Sequence, residues 1–226
     1  MTALLMAAIT ISSAALLTPL LIAGDLSSYR AFQLGMNLHA VEKQTEMKPS
    51  EAKMIHQRPA VIQELEWRPR RFPGPVPESD PVKDILFSFY NGQLFRIVVN
   101  YDRYKTEGMT AEDMIDAISA TYGLAARPTV EILFPSAYSE KVKVIARWED
   151  AEYSLNLVRS PYQPSFALFA FSKQLDTLAQ SAVVEAKRLD EQEAPQREAD
   201  LQKKQGEDNR AQQEKARIAN KPGFRP

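Results

Sequence analysis

The sequence predicts an α+β protein: two tandem helix–three-strand units form an antiparallel sheet, and a long charged C-terminal helix follows. Three observations predict this. Short runs of β-branched and aromatic residues end at turn residues. Two segments begin with a helix-capping residue and carry apolar residues at helical spacing. From Ser172 to Gly223 the chain has no aromatic residue and is rich in charge.

Residues 1–23 carry no charge and predict a signal peptide. An apolar stretch, then Pro19, then the small residues Ala23 and Gly24 form the layout of a secretory signal that is cleaved after Ala23. The protein is therefore predicted to be exported, to the periplasm or outside the cell. The alternatives are a membrane anchor over residues 3–23, because about 20 apolar residues span a bilayer, and a buried soluble helix.

Composition shifts divide the mature chain into a domain and a tail. The α+β domain is expected over residues 24–172, with possible units at 24–104 and 105–172. Residues 173–226 form the charged helical tail, whose end is expected to be disordered.

The first unit opens with a predicted helix over residues 38–45, for which Asn37 is a suitable N-cap. Ser50 predicts a short helical turn over 51–57, and residues 61–67 alternate as a strand does. The stretch from Arg68 to Pro81 contains five prolines and predicts a loop.

The strongest local signal is a β-hairpin. Two β-rich runs, Asp84–Tyr90 and Gln93–Tyr101, are joined by Asn91-Gly92. This dipeptide is typical of a type I′ turn, because both of its positions need a positive φ.

The second unit begins with a helix that Thr110 caps, with Asp113 at capping-box spacing, and that Gly123 ends in a left-handed conformation. Three strands follow. In the first of them alternation predicts one shared face for four residues: Val142, Val144, Ala146 and Trp148. A polar opposite face predicts a sheet that is covered on one side.

The tail carries a narrow apolar stripe in its first half, which predicts docking on the sheet. Pro195 is expected to break or kink the helix. Beyond it, opposite charges at helical spacing predict a solvated single helix, with Glu193–Arg197, Asp200–Lys204 and Arg210–Glu214 as the expected pairs. A coiled coil with a second tail is the alternative.

A short internal repeat supports two units. Gly35-Met36-Asn37 and Gly108-Met109-Thr110 each stand before a predicted helix.

Seven residues of these motifs match a known pattern: Phe32, Leu34, Gly35, Met36, Asn91, Gly92 and Leu94. Through them, the chain resembles bacterial envelope proteins of the β-lactamase-inhibitor-protein and small outer-membrane-lipoprotein type over about residues 30–172. The stretch Arg58–Pro69 resembles one in uncharacterised exported bacterial proteins. The resemblance implies helix-plus-antiparallel-strand units and a non-enzymatic function; the appended helix and the lack of cysteine depart from it.

Composition excludes several kinds of chemistry. The absence of cysteine excludes disulfides, cysteine-bound zinc, thiol catalysis and a lipoprotein anchor. With 28 Lys+Arg against 29 Asp+Glu, the chain has no electrostatic footprint for nucleic acid. His39 and His56 lie on different elements, and no nucleophile elbow, phosphate loop or metal-ligand spacing occurs. We therefore expect no enzyme and no catalytic, cofactor or metal site; a carboxylate-based enzyme is the alternative.

Aromatic and cationic residues beside the Pro-rich loop predict a contact surface, because tyrosine, tryptophan and arginine are common at interface hot spots. The candidate partner-binding residues are Trp67, Arg68, Arg70, Arg71, Phe72, Tyr101, Arg103 and Tyr104. Solvated arginines in a linker, and tyrosines packed on a sheet edge, are the alternatives.

The predicted function is that of an exported, non-enzymatic protein-binding or envelope scaffold protein. Its partner would be a protein of the cell envelope, whose identity the sequence leaves open. A membrane-tethered structural protein is the alternative if the N-terminal segment is retained, in which case that segment contacts the membrane.

Overall fold

The computed structural model describes residues 24–69, 80–133, 141–159, 165–223 and 225. In chain order, its helices and strands are β1 (Ser28–Tyr29), β2 (Phe32–Gln33), α1 (Leu38–Thr45), β3 (Lys53–His56), β4 (Ile62–Trp67), β5 (Val82–Tyr90), β6 (Gln93–Tyr101), α2 (Ala111–Tyr122), β7 (Glu131–Leu133), β8 (Lys141–Glu149), β9 (Tyr153–Arg159), β10 (Phe166–Ser172) and α3 (Lys173–Asn220). The strands β1 and β2 form a small hairpin of their own.

The other eight strands form one antiparallel sheet in the order β3-β4-β5-β6-β10-β9-β8-β7. Each half consists of a helix followed by four neighbouring strands. The last strands of the two halves, β6 and β10, pair at the centre, with Leu168 opposite Val99. The α+β class, the antiparallel sheet and the long C-terminal helix are therefore confirmed.

Each half has one strand more than the sequence predicted. The helical turn expected over 51–57 is instead a three-residue 3-10 turn, Pro49–Glu51, followed by β3. Lys53 pairs with Glu64 on β4, so sheet pairing prevails over the local capping signal of Ser50. In the second half, β7 pairs with the start of β8.

The predicted helix starts are confirmed. The Asn37 side chain accepts a hydrogen bond from the amide of Ala40 at 2.8 Å, which caps α1. Thr110 and Asp113 form the full capping box of α2. The residue after α2, Gly123, has a positive φ of 86° but a ψ of −159°, which lies outside the left-handed helical region that was predicted.

The two repeat motifs adopt related backbones. Gly35 and Gly108 have φ values of 92° and 79°, each two residues before an N-cap. Glycine is favoured there because it adopts positive φ without a steric penalty. The predicted hairpin turn is also confirmed, with φ values of 48° at Asn91 and 79° at Gly92.

One face of the sheet, the helix face, packs against α1, α2 and the β1–β2 hairpin. Its largest fully buried side chains include Trp148, Phe87, Phe89 and Leu65. The Trp148 indole nitrogen donates to the carbonyl of Gly123 at 2.9 Å and so links β8 to the end of α2.

The prediction that the sheet is covered on one side only is wrong. On the opposite face, the tail face, Val98 and Phe169 are 1% and 2% exposed. Part of this face is covered by α3, whose Ala179 packs with Ile62 and Phe95. The reason is that β5, β6 and β10 are apolar on both faces, as strands buried on both sides are.

The shared face predicted for β8 is also wrong. A β-bulge separates Val144 from Ala146, so the residues before Ile145 and the residues after it face opposite sides. Val142 and Val144 join the tail-face cluster, whereas Ala146 and Trp148 join the helix-face core.

Pro195 does not break α3, which runs without interruption over 48 residues. Proline cannot donate a backbone hydrogen bond, so it leaves a carbonyl in the preceding turn without its helical donor. The carbonyl that loses its donor is that of Glu191, and the Arg197 guanidinium donates to the neighbouring carbonyl, that of Asp190, at 2.7 Å. The ion pairs also differ from those expected: Arg197 contacts Asp190, and Glu214 contacts Arg217.

Candidate functional site

Most of the candidate binding residues lie at one end of the sheet, which we call the loop end. Here β4 ends at Trp67, β6 ends at Tyr101 and β9 ends at Arg159, while β5, β8 and β10 begin. Strand register places these ends together, since Trp67 is opposite Ile85 and Val82 is opposite Tyr101. Three of the candidates, Arg70, Arg71 and Phe72, lie outside the described residues.

Trp67 is half-buried on the helix face. Its ring packs edge-on against Phe32, with the centroids 5.6 Å apart. Its indole nitrogen is buried and has no hydrogen-bond partner in the part of the chain that the structure describes. The neighbouring Arg68 forms an ion pair with Glu66 on the same strand. Trp67 therefore supports the core as well as the loop end.

Tyr101 is buried, with 7% of its surface exposed, so it supports the fold and presents no surface to a partner. Burial raises the pKa of Tyr101 well above its usual value of 10.0, and a hydrogen bond with Tyr29 adds to this. Burial also raises the pKa of Tyr122 to about 12. These neutral tyrosines join the β1–β2 hairpin, β6 and α2, because the Tyr122 hydroxyl donates to the carbonyl of Ser28.

An ion pair holds the β1–β2 hairpin at this end of the sheet. The Arg30 guanidinium donates two hydrogen bonds to Asp80, at 2.9 and 2.8 Å. Asp80 also accepts from the amide of Val82 at 2.9 Å, which fixes the start of β5. The bidentate geometry makes this a rigid connection.

The loop after β6 presents two of the candidates to solvent. Asp102 accepts hydrogen bonds from the amides of Tyr104 and Lys105, and its carbonyl accepts from the hydroxyl of Thr106. This turn holds the guanidinium of Arg103 over the Tyr104 ring, 4.4 Å from its centroid. Tyr104 is 68% exposed. The loop is thus ordered by its own hydrogen bonds, and it displays an aromatic ring and a cation together.

The tail helix has a docked part and a free part. In the docked part, Arg96 on β6 forms an ion pair with Asp176. The turn between β3 and β4 provides a second connection, since Arg58 contacts Glu193. The hydrogen bond with Arg58 lowers the pKa of Glu193. Beyond Ala194 the side chains of α3 are exposed, so the helix extends from the body as an arm.

Sequence reasoning did not single out three cations beside β8. Arg127, Lys143 and Arg159 line one groove at the loop end. No short motif joins them, because residues from three segments meet there only through strand pairing. A weak signal existed: Arg159 is the last residue of β9 and so stands directly before the loop that follows this strand.

The predicted histidines stand apart from this end. His39 is exposed on α1, 3.6 Å from Glu42, and His56 ends β3. The described residues hold no group of three or more His, Cys, Asp or Glu that is arranged to bind a metal ion. Within the same residues, no helix is both long enough and apolar enough to span a bilayer.

Comparisons of this chain with protein-family models, with curated proteins and with solved structures found no match.

Proposed function

We propose that this chain is an exported, non-enzymatic protein-binding or scaffold protein of the bacterial cell envelope. The observation that carries the proposal is the ordered loop after β6, where Arg103 and Tyr104 are stacked and exposed. A tyrosine and an arginine that are already ordered lose little conformational entropy on binding, which favours a contact with a protein.

The arm of α3 supports a scaffolding role. At about 1.5 Å per residue, the 48-residue helix is about 72 Å long. Its docked part is fixed to the sheet through Asp176 and Glu193, while residues 195–220 extend into solvent. The arm provides a spacer or a second contact for the same assembly.

The contacts of Gly24, the residue that follows the proposed cleavage site, are compatible with cleavage of the leader after Ala23. Gly24 lies against the last turn of α2, where an added Cβ would overlap the carbonyl oxygen of Thr121 and lie 2.8 Å from the Cα of Tyr122. Asp25 then accepts hydrogen bonds from the amide and hydroxyl of Ser27. A new N-terminus at Gly24 would leave these contacts in place.

One measurement distinguishes cleavage of residues 1–23 from their retention as a membrane anchor. N-terminal sequencing of the protein recovered from the cell envelope is expected to begin at Gly24. If the protein is instead recovered from membranes with residues 1–23 intact, the alternative holds, and the chain is a tethered structural protein. Recovery of the intact chain from the cytosol would contradict both.

Binding is tested by pull-down from an envelope extract with three baits. The wild type and a control variant with two exposed residues of α1 replaced, His39→Ala/Lys43→Ala, are expected to recover the same partner. The loop variant Arg103→Ala/Tyr104→Ala is expected to lose it, because it removes the exposed cation and aromatic ring that the proposal places in the contact. Recovery of the same proteins by all three baits would contradict the proposal, as would recovery of none by the wild type.

A further inference from the structure

The last part of α3 differs in charge from the rest of the chain. We call residues 209–223 the basic tip; they contain four basic residues, Arg210, Lys215, Arg217 and Lys221, and one acidic residue, Glu214. The whole chain has 28 Lys+Arg and 29 Asp+Glu, so 24 and 28 of these lie outside the tip. The tip is therefore a cationic segment on an otherwise acidic protein.

The basic tip is far from the body. Glu193, which contacts Arg58 in the turn between β3 and β4, is in the last turn of the docked part of α3. At about 1.5 Å per residue, the tip begins about 24 Å further along the helix. All of its residues are exposed. The tip is thus available to a surface outside the molecule.

Most of the charge of the tip is not balanced within the helix. The Arg217 guanidinium donates to the two carboxylate oxygens of Glu214 at 2.7 and 2.6 Å. In the part of the chain that the structure describes, Arg210, Lys215 and Lys221 form no ion pair. The helix dipole favours cations only in the last turn, which contains Arg217, so it does not explain Arg210 or Lys215.

The tip has a basic face with an apolar side chain beside it. Seven and eleven residues correspond to about two and three helical turns, so Arg210, Arg217 and Lys221 lie on one face of α3. Ile218 lies beside this face, and Lys215 lies on the other side of Ile218. The Ile218 residue is 62% exposed. An exposed apolar side chain is therefore flanked by cations on both sides.

We propose that the basic tip binds an anionic phospholipid surface, through the phosphate groups of the lipid headgroups. The cations of the basic face reach a flat surface together, and Ile218 enters the boundary between headgroups and acyl chains. The rest of the chain is acidic and is repelled by the same surface, so the tip approaches it first. The inference goes beyond the proposed function, because it assigns a lipid surface to the arm of α3.

The exposed Ile218 favours lipid over nucleic acid as the ligand. A nucleic-acid backbone would contact the cations and leave this apolar side chain in water. The convex surface of a single helix also has no groove in which side chains of a peptide could lie, whereas a flat bilayer requires none. An anionic bilayer is therefore the surface that uses both the cations and Ile218.

Binding to vesicles tests the proposal with the protein as it is recovered from the cell envelope. The protein is sedimented with vesicles of pure phosphatidylcholine and with vesicles of equal parts of phosphatidylcholine and phosphatidylglycerol. We expect more protein on the phosphatidylglycerol vesicles, and loss of this difference as sodium chloride is added. Residues 1–23 carry no charge, so a retained leader would bind both kinds of vesicle equally. Equal binding of the protein to the two kinds would overturn the proposal.

Variants locate the contact. Arg210→Gln/Lys221→Gln is expected to lower the partition coefficient on phosphatidylglycerol vesicles by about tenfold, since it removes two cations of the basic face. The control Lys43→Gln/Lys187→Gln removes the same charge from exposed positions outside the tip and is expected to change the coefficient by less than about twofold. Circular dichroism verifies that the arm stays helical. Equal losses in the two variants, or no loss in the tip variant, would overturn the proposal.

A tryptophan probe locates the contact without a change in charge. The tryptophan introduced by Ile218→Trp is expected to emit at shorter wavelength when phosphatidylglycerol vesicles are added, because its ring enters the lipid boundary. Leu201→Trp lies in the arm before the tip at a similarly exposed position, 59% against 62%, and is expected to show no shift. The wild type supplies the background of Trp67 and Trp148. A shift in both variants, or in neither, would overturn the proposal.

A DNA duplex distinguishes a lipid surface from polyanions in general. At a salt concentration at which the protein binds phosphatidylglycerol vesicles, we expect no change in the fluorescence anisotropy of a labelled duplex. Binding of the duplex at that salt, lost in the tip variant, would assign the tip to nucleic acid and overturn the proposal. No envelope protein takes part in these assays. Loss of vesicle binding with partner capture through Tyr104 retained would therefore overturn this inference alone, whereas the reverse would overturn the proposed function.

Discussion

The two parts of helix α3 form one continuous helix, yet different interactions stabilise them. The docked part, residues 173–194, buries Ala179, Ala182 and Ala186. In the arm, residues 195–220, the ion pair Arg217–Glu214 is local and exposed. The difference teaches that small side chains let a helix approach a sheet closely, whereas a helix that buries nothing depends on local propensity and local charge.

The largest effect is expected where a charge enters the docked surface. Ala179 is 2% exposed and packs with Ile62 and Phe95, so Ala179→Glu buries an unpaired carboxylate. We expect the free energy of unfolding in urea to fall by about 3 kcal/mol. The matched change Ala211→Glu in the exposed arm is expected to shift it by less than about 0.5 kcal/mol. Equal losses in the two variants would remove the distinction between the two parts.

The second-largest effect is expected from loss of the ion pair between Arg96 on the sheet and Asp176 in the docked part of α3. Asp176→Ala leaves the Arg96 guanidinium without its carboxylate in a site where only 18% of the Arg96 side chain is exposed. We expect a loss of about 2 kcal/mol in the free energy of unfolding, measured in urea. The matched variant Glu214→Ala removes the carboxylate of an exposed pair in the arm and is expected to leave this free energy unchanged.

Removal of the arm is expected to have a small effect on stability. Among the residues from 195 onward that the structure describes, none has a side chain that the body buries, so deletion of residues 195–226 removes no described buried side chain. The free energy of unfolding should change by less than about 0.5 kcal/mol, while the helical circular dichroism signal falls by the contribution of the arm. A large drop in stability would show that the arm folds back on the body in solution.

The smallest expected effect is a change in the pKa of Glu193, which lies near the boundary between the docked part and the arm of α3. Hydrogen bonds lower the pKa of Glu193 through Arg58 and that of Glu214 through Arg217. Arg58→Gln should raise the pKa of Glu193 towards 4.5 and leave that of Glu214 unchanged, as measured by carboxyl-carbon NMR. Because the folded-state pKa of Glu193 is lowered, its contribution to docking is present above the usual value of 4.5. It is lost as the pH falls through the folded-state pKa. An unchanged pKa of Glu193 would show that Arg58 does not contact the helix in solution.

Local signals predicted the parts of the fold that local chemistry controls. The Asn91-Gly92 turn and the Thr110–Asp113 capping box were predicted because their residues satisfy backbone requirements within a few positions. The bulge at Ile145 was not predicted, because no residue near it marks the change in register. Ile145 lines the groove beside Arg127, Lys143 and Arg159, which come together only through strand pairing, so these cations could not be singled out from the sequence.

The candidate contact surface was predicted only in part. Arg103 and Tyr104 are exposed as expected, but Tyr101 is buried beside Tyr29, which is far from it in the sequence. Alternation alone cannot tell an exposed strand end from one that another segment covers. The burial of Tyr101 depends on the β1–β2 hairpin, which the ion pair between Arg30 and Asp80 holds in place.

By itself, the sequence determined the α+β class, the antiparallel hairpin, the helix starts and the charged tail, because each depends on propensities and periodicities within about ten residues. Tertiary structure alone decided that the sheet is covered on both faces, that Glu193 contacts Arg58 rather than Arg197, and that Lys143 and Arg159 become neighbours. These features depend on contacts between residues far apart in the chain, and their energies are fixed only when the strands pair and α3 docks on the sheet.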